Sequence, residues 1–247
     1  MTGFRERPDE QARISSLMQL LPPGKNVLEI GARDGYITRL LASRYHETTA
    51  LDLTEPEIEG PGITSIAGDI RALPWDKNHF DVVLCSEVLE HIPPADLDKA
   101  CEELVRVARR HIVIGVPYNQ DIRNGRTRCA QCGAINPPWG HVNRFDENRL
   151  KNLFHPMRSV KQDQVGETRG ATNVISDLLN RAAGYPWGTY IQDEPCIQCG
   201  GSVGPGPTHT IYTRILSGIA IRLDRFLTNY RQPKAKWIHI LFEKTSD

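Results

Sequence analysis

Residues 80–88, FDVVLCSEV, restrict what this chain can fold into more than any other stretch. A strand that is apolar at nearly every position has both faces buried, as in the middle of a parallel sheet covered by helices on each side. The flanking sequence supplies those helices. Strand patterns at 26–31, 48–53, 62–68 and 111–117 alternate with helical patterns at 10–21, 34–45 and 94–109. The first of these has Ile14, Leu17, Met18 and Leu21 at amphipathic spacing and ends at Pro22-Pro23-Gly24. Alternation of this kind predicts right-handed crossovers and a doubly wound parallel α/β sheet.

The rhythm breaks after Pro117. Residues 118–140 are rich in Gly, Pro and turn formers and show no period. A helix is expected at 146–154 with Asp146 as N-cap, a strand at 158–166, and a last strand at 236–244. Between them, 168–233 carries two helical patterns around a loop. The expected organisation is one domain of 1–247, with core segments 20–117, 141–166 and 234–247 and insertions 118–140 and 167–233. The second long helical pattern aligns Ile215, Ile219, Leu223, Phe226 and Tyr230 along one stripe flanked by arginines. Core packing is its default reading; a homodimer interface or an arginine-lined acceptor pocket are the alternatives.

The 247 residues balance 30 Lys/Arg against 30 Asp/Glu, but unevenly. Residues 1–116 hold 13 basic and 19 acidic side chains and residues 117–247 hold 17 and 11. The first half therefore suits a cationic ligand and the second can face an anionic one. No apolar run approaches the length of a membrane helix, and the N-terminus lacks the apolar core of a secretory signal. A soluble, cytoplasmic protein without membrane partners is expected, in which cysteines are reduced.

The first strand runs into LEIGARDG, where Gly31 and Gly35 allow a ligand to approach the backbone between strand and helix. A dinucleotide turn requires G-x-G-x-x-G with a pyrophosphate on the helix N-terminus. Here Arg33 replaces the middle glycine, and Glu29 would repel a pyrophosphate. A carboxylate at that strand end instead suits an ammonium group, and Asp52 at the end of the second strand suits the two hydroxyls of a ribose.

Taken in order and spacing, VLEIGARDGYIT, LDL, GDIRALPW and FDVVLCSEVLEHI resemble a class I S-adenosylmethionine-dependent methyltransferase of the small-molecule or sugar branch. The resemblance covers roughly residues 20–165 and the terminal strand. It implies a Rossmann-like seven-stranded sheet in the order 3-2-1-4-5-7-6 with the seventh strand antiparallel, and S-adenosylmethionine as cofactor. It also implies that Gly31 and Gly35 form the turn beneath methionine and ribose. Glu29 would support the amino group and Asp52 would hold the ribose. Asp69 and the backbone of Ile70 would meet adenine, and Ser86 and Glu87 would face the methionine end. Arg33 departs from the family's glycine at that position.

CAQCG at 129–133 recurs as CIQCGG at 196–201. Cys129, Cys132, Cys196 and Cys199 make the four-thiolate set of a closed, structural zinc site. Redox use of each pair is the rival, although a redox pair usually opens a helix after a strand and neither does. Both pairs lie in the insertions, so zinc is expected to clasp them as a lid over the acceptor side. His141, in WGHVNRF, is the candidate general base because similar GHxxxF segments lie near cofactor and acceptor in the family it resembles. His91 in EHIP is expected to be structural or cofactor-proximal.

These features predict methyl transfer to a small molecule or sugar, at a hydroxyl oxygen. The alternatives are an RNA methyltransferase using the basic second half, and a non-catalytic binding subunit. No separate nucleic-acid platform is legible, so nucleic acid is not the expected partner.

Overall fold

The computed structural model describes residues 6–245. The elements in chain order are α1 (Pro8–Leu20), β1 (Asn26–Ile30), α2 (Tyr36–Ala42), β2 (Glu47–Asp52), β3 (Ile63–Ala67), β4 (Phe80–Ser86), α3 (Leu97–Val107) and β5 (Ala108–Pro117). A short antiparallel hairpin with two residues in each strand follows, β6 (Thr127–Arg128) and β7 (Ile135–Asn136). Then come α4 (Glu147–Leu153), β8 (Arg158–Val165), α5 (Val174–Ala182), α6 (Ile211–Thr228) and β9 (Trp237–Glu243).

Seven strands form one sheet in the order β3-β2-β1-β4-β5-β9-β8. Its first five strands are mutually parallel, and β9 runs antiparallel to both β5 and β8. With β8 and β9 counted as the sixth and seventh strands, this is the expected 3-2-1-4-5-7-6 order. β4 pairs with β1 and β5 and buries Val82, Val83, Leu84 and Cys85, which explains its unbroken apolar sequence. One face of the sheet is covered by α3 and α4 through Leu97, Ala100, Leu104, Leu150 and Phe154; the other is covered by α1 and α2 through Leu17, Leu20 and Leu41. Asp146 caps α4, its carboxylate accepting from the Arg149 amide. Cys85 and Cys101 are buried in the core, and burial pushes the Cys101 thiol up to about 12.

The chain separates into two compact units. Unit 1 comprises 1–118, 145–166 and 235–247, and unit 2 comprises 119–144 and 167–234. The sheet belongs to unit 1. Unit 2 holds the β6–β7 hairpin, four cysteines and the helix pair α5–α6. Asn173 caps α5 and Thr210 closes a capping box on α6.

The apolar stripe on α6 does not pack into a core. Ile215, Ile219 and Phe226 are exposed, Leu223 is half-buried, Tyr230 lies exposed just beyond the helix, and the buried face is Ser217 and Ala220. Those small side chains let α5 come close enough for the Ser176 hydroxyl to donate to the Ala220 carbonyl at 3.1 Å. Close approach through small residues wins over burial of large ones here, and the period of the large residues points to the wrong face.

Candidate functional site

In unit 1 the carboxyl ends of β1, β2 and β4 converge. The register pairs Ile30 with Leu51 and with Cys85, so Gly31, Asp52 and Ser86 follow on adjacent strands. Gly31 and Gly35 have φ of +79° and +74°. A Cβ on Gly31 would lie 2.5 Å from Val88 and one on Gly35 2.6 Å from Ile58, so both turns require glycine. Arg33 adopts φ +47°, the left-handed region in which a glycine would be less strained.

Glu29 is buried, and the Thr38 hydroxyl of α2 donates to its Oε2 at 2.6 Å. Burial is the main force raising its carboxyl to about 7; the Asp52 charge adds to the rise and the Thr38 bond opposes it. Asp52 accepts from the Arg33 amide at 2.9 Å and from the Leu53 amide at 2.7 Å. A ligand bringing an ammonium group to the buried Glu29 carboxyl and a hydroxyl pair to Asp52 would supply what each lacks. This donor and acceptor set fits the methionine and ribose parts of S-adenosylmethionine.

Asp69 is bound by Arg71, whose amide and guanidinium donate to it at 2.6–3.0 Å, and Arg71 also reaches Asp96 at 2.7 Å. These bonds hold the Asp69 carboxyl below its ordinary range. Ile70 is buried beside it. The loop carrying both is strapped to α3. Glu103 accepts from the Leu73 amide at 2.8 Å, and Arg106 donates to the carbonyls of Leu73 and Trp75 at 2.8 and 2.6 Å.

At the end of β4 the structure reveals a cluster that the sequence does not announce. Arg13 of α1 donates to the Ser86 hydroxyl at 3.1 Å, pairs in a bidentate way with Glu10, and lies over the Trp237 ring. The Trp237 indole donates to Glu87 Oε2 at 3.1 Å, and Glu87 Oε1 is buried without a hydrogen-bond partner among the described residues. Burial raises the Glu87 carboxyl, against the opposing charge of Arg13 and the Trp237 bond. These contacts join positions 73 and 150 residues apart in sequence. Glu10, Arg13 and Ser16 are buried on the same side of α1 as Ile14, Leu17 and Leu20, so the helix face carries polar groups that an apolar period does not announce. His91 is held at about 4 by burial and by the Arg33 charge, and is therefore neutral near neutrality.

In unit 2 the four cysteines meet. One sulfur from each of Cys129, Cys132, Cys196 and Cys199 lies within 4.8 Å of all the others. The Cys129–Cys199 and Cys132–Cys196 separations are 3.8 and 3.6 Å. A tetrahedron of Zn–S bonds of about 2.3 Å has edges of about 3.8 Å, so the donor set and spacing fit zinc. Gly133 and Gly200 adopt φ of +74° and +70° with no neighbour near a Cβ, so the turn itself demands glycine. Burial opposes ionisation of Cys196, but the amides of Cys199 and Gln198 hold it at about 6. Cys132 is favoured as a thiolate by the Ala134 amide, yet burial and the three neighbouring sulfurs push it up to about 12. Four sulfurs this close require a cation to balance them as thiolates.

His141 is also in unit 2, nearly buried, with Nδ1 2.6 Å from Gln120 Oε1. Its backbone amide donates to the Pro138 carbonyl at 3.1 Å. Among the described residues no helix is long and apolar enough to cross a membrane.

Residues 28–113 match the family described as a methyltransferase domain. Ubiquinone biosynthesis O-methyltransferase of Pseudomonas aeruginosa is 33% identical over 94 residues, 34% of this chain and 40% of that protein. The Coxiella burnetii protein of the same name is 31% identical over 98 residues, 36% of this chain and 42% of that one. The chain thus spans about 40% of the length of the curated relatives it matches. N-methyltransferase NodS from Bradyrhizobium japonicum, in complex with S-adenosylhomocysteine, superposes with a TM-score of 0.55 at 17% identity, covering 99% of this chain and 91% of that one. The [4+2]-cyclase SpnF does so at 0.55 and 13%, covering 98% and 86%. At such identities the superpositions speak for the fold alone. Residues 28–113 match a methyltransferase domain, and the chain carries the fold of the class I S-adenosylmethionine-dependent methyltransferases, interrupted by segments that bring four cysteines together.

Proposed function

We propose that this protein binds S-adenosylmethionine and transfers its methyl group to a hydroxyl of a small molecule or sugar. The observation that carries the reading is the placing of two carboxylates, Asp52 and the buried Glu29, at the ends of adjacent parallel strands. When bound, the cofactor supplies an electrophilic methyl group on a sulfonium. Glu29 would hold the ammonium, oriented by Thr38, and Asp52 the ribose hydroxyls. Gly31 and Gly35 keep the backbone clear beneath methionine and ribose. Asp69 and the Ile70 backbone would take adenine. Ser86 and Glu87 would face the methionine end, with Arg13 neutralising charge there. His141 is assigned as the base that accepts the acceptor's hydroxyl proton, with Gln120 fixing its ring. The four cysteines would hold a structural zinc, closed to water and so without a chemical step of its own.

The name shared by the relatives, O-methyltransferase, supports oxygen as the methylated atom. In unit 2, Arg123, Arg126, Arg128 and Arg231 are turned to acceptors of the unit itself, which supports a small acceptor over a phosphate backbone. Incubation with methyl-labelled S-adenosylmethionine and a panel of phenols, catechols and pyranosides tests the assignment. A labelled methyl ether is the expected product. Label appearing only on nitrogen acceptors, or on RNA added in parallel, would replace it.

A further inference from the structure

Unit 2 contains a cavity of about 580 Å³ that none of the assignments above uses. Its walls include Trp139, Trp187, Tyr190, Ile191, Pro207 and His209. That volume lies in the range of small-molecule sites. Trp187 is 61% exposed and Ile191 92%, and Trp139 is 45% exposed. So much aromatic surface held against water around one cleft is a standing cost in a folded protein. Trp139 adds a second cost, because it adopts φ +57°, a conformation unfavourable for a bulky residue. It is kept there by Gln192, whose side-chain oxygen accepts the Trp139 amide at 2.9 Å. Strain of this sort persists where the surroundings enforce it and gathers at ligand clamps.

We infer that this cleft binds the ring of a neutral carbohydrate. No Lys, Arg, Asp or Glu is among its lining residues, so it offers no complement to a charged ligand. A cleft this exposed leaves one side of its occupant in water, which suits a ligand with one apolar face and polar edges. A pyranose has that form: its axial C–H face lies on an aromatic ring while its hydroxyls face water and the polar rim. Trp187 presents a ring face for such stacking and is itself backed by His209, with ring centroids 4.4 Å apart and planes 29° apart. The Trp187 indole N–H donates to the Ser217 hydroxyl at 3.1 Å, so its edge is not free to read a peptide carbonyl as proline-rich recognition requires.

The cysteine cluster builds this cleft. The Arg128 amide, beside Cys129, donates to the Tyr190 hydroxyl at 3.0 Å. The Ala130 amide donates to the Val203 carbonyl at 2.9 Å, and the Ile197 amide to the Asn136 side chain at 2.8 Å. Trp139 follows the first knuckle, and 190 and 207 bracket the second. A zinc ion would therefore fix the walls of a binding site, which gives the four thiolates a purpose beyond stability.

The inference rests on the sugar-acceptor reading for its purpose but not for its test. The indole N–H resonances of the full-length, zinc-loaded protein are followed by NMR during titration with methyl α-glucopyranoside, methyl α-mannopyranoside and methyl α-rhamnopyranoside, and separately with a nonaproline peptide. At least one pyranoside is expected to shift Trp139 and Trp187 saturably, with a Kd on the order of 1 mM, and to leave Trp75 and Trp237 in place. Trp187→Ala should weaken binding about tenfold or more with zinc content unchanged, Trp187→Phe should retain a ring face and most of the affinity, and chelation should abolish it. If Trp187→Ala loses zinc, Trp139→Ala takes its place. The inference is overturned if no pyranoside gives a saturable shift, if only the proline peptide does, or if the response survives both alanine variants. S-adenosylmethionine binding, measured on the same sample, stands or falls separately.

Discussion

The strap between Glu103 and the loop after β3 allows a quantitative test of how this fold supports the proposed cofactor site. The Glu103 side chain is 8% exposed. It accepts from Arg106 Nε at 2.7 Å, Arg106 Nη2 at 2.8 Å and the Leu73 amide at 2.8 Å. Chiefly because of Arg106, its carboxyl is held at about 2 instead of 4.5. That difference converts to about 3 kcal/mol of folding free energy at neutral pH. Arg106 is one-third exposed, so solvent screening reduces the expected loss for Glu103→Gln to about 2 kcal/mol. The sign follows from the lowered value. The stabilisation is fully present above about pH 4.5, where the unfolded chain is also ionised, and is lost as pH falls toward 2. Urea unfolding of wild type and variant at neutral pH and again near pH 3 measures it. The gap should shrink by about half or more at the lower pH. Because Arg106 also holds the Leu73 and Trp75 carbonyls, the variant should bind S-adenosylmethionine several-fold more weakly. A gap below about 0.5 kcal/mol, or one independent of pH, would refute the reasoning.

Three further outcomes are expected. Glu29 sits at about 7 before a ligand arrives, so binding the cofactor's ammonium requires its proton to leave. Cofactor affinity measured by calorimetry should fall by up to about tenfold per pH unit below 7, and Glu29→Gln should bind weakly at every pH. Cys129→Ser should release the metal, read by atomic absorption, and lower the thermal stability of unit 2; an unchanged metal content refutes the four-thiolate assignment. His141→Gln should lower kcat by about 100-fold or more with little change in cofactor affinity, and an unchanged kcat removes His141 from the reaction.

The sheet was legible because its signals are local. The continuous apolar β4, the glycines that β1 feeds into, and the Asp146 cap each declare themselves within ten residues. So do the cysteine pairs. The Arg13–Glu10–Ser86–Glu87–Trp237 cluster is not legible, because no short pattern joins α1 to the end of β4 and to β9. Thr38 is silent for the same reason: in α2 it reads as an ordinary helix residue until β1 places Glu29 beside it. On α6 the periodic signal misleads, since helix packing here uses Ser217 and Ala220, not the large residues that set the period. Trp139, Trp187 and His209 lie in Gly- and Pro-rich segments, where exposure and stacking depend on turns that hydropathy does not record.

The central claim, that Glu29 and Asp52 form one arm each of an S-adenosylmethionine site, is tested most directly by titrating the cofactor into wild type and Asp52→Ala calorimetrically. The account predicts a saturable one-site isotherm in the micromolar range for wild type and affinity reduced by about 30-fold in the variant, equivalent to about 2 kcal/mol. No heat of binding at millimolar cofactor, or equal affinity in the two proteins, would contradict it.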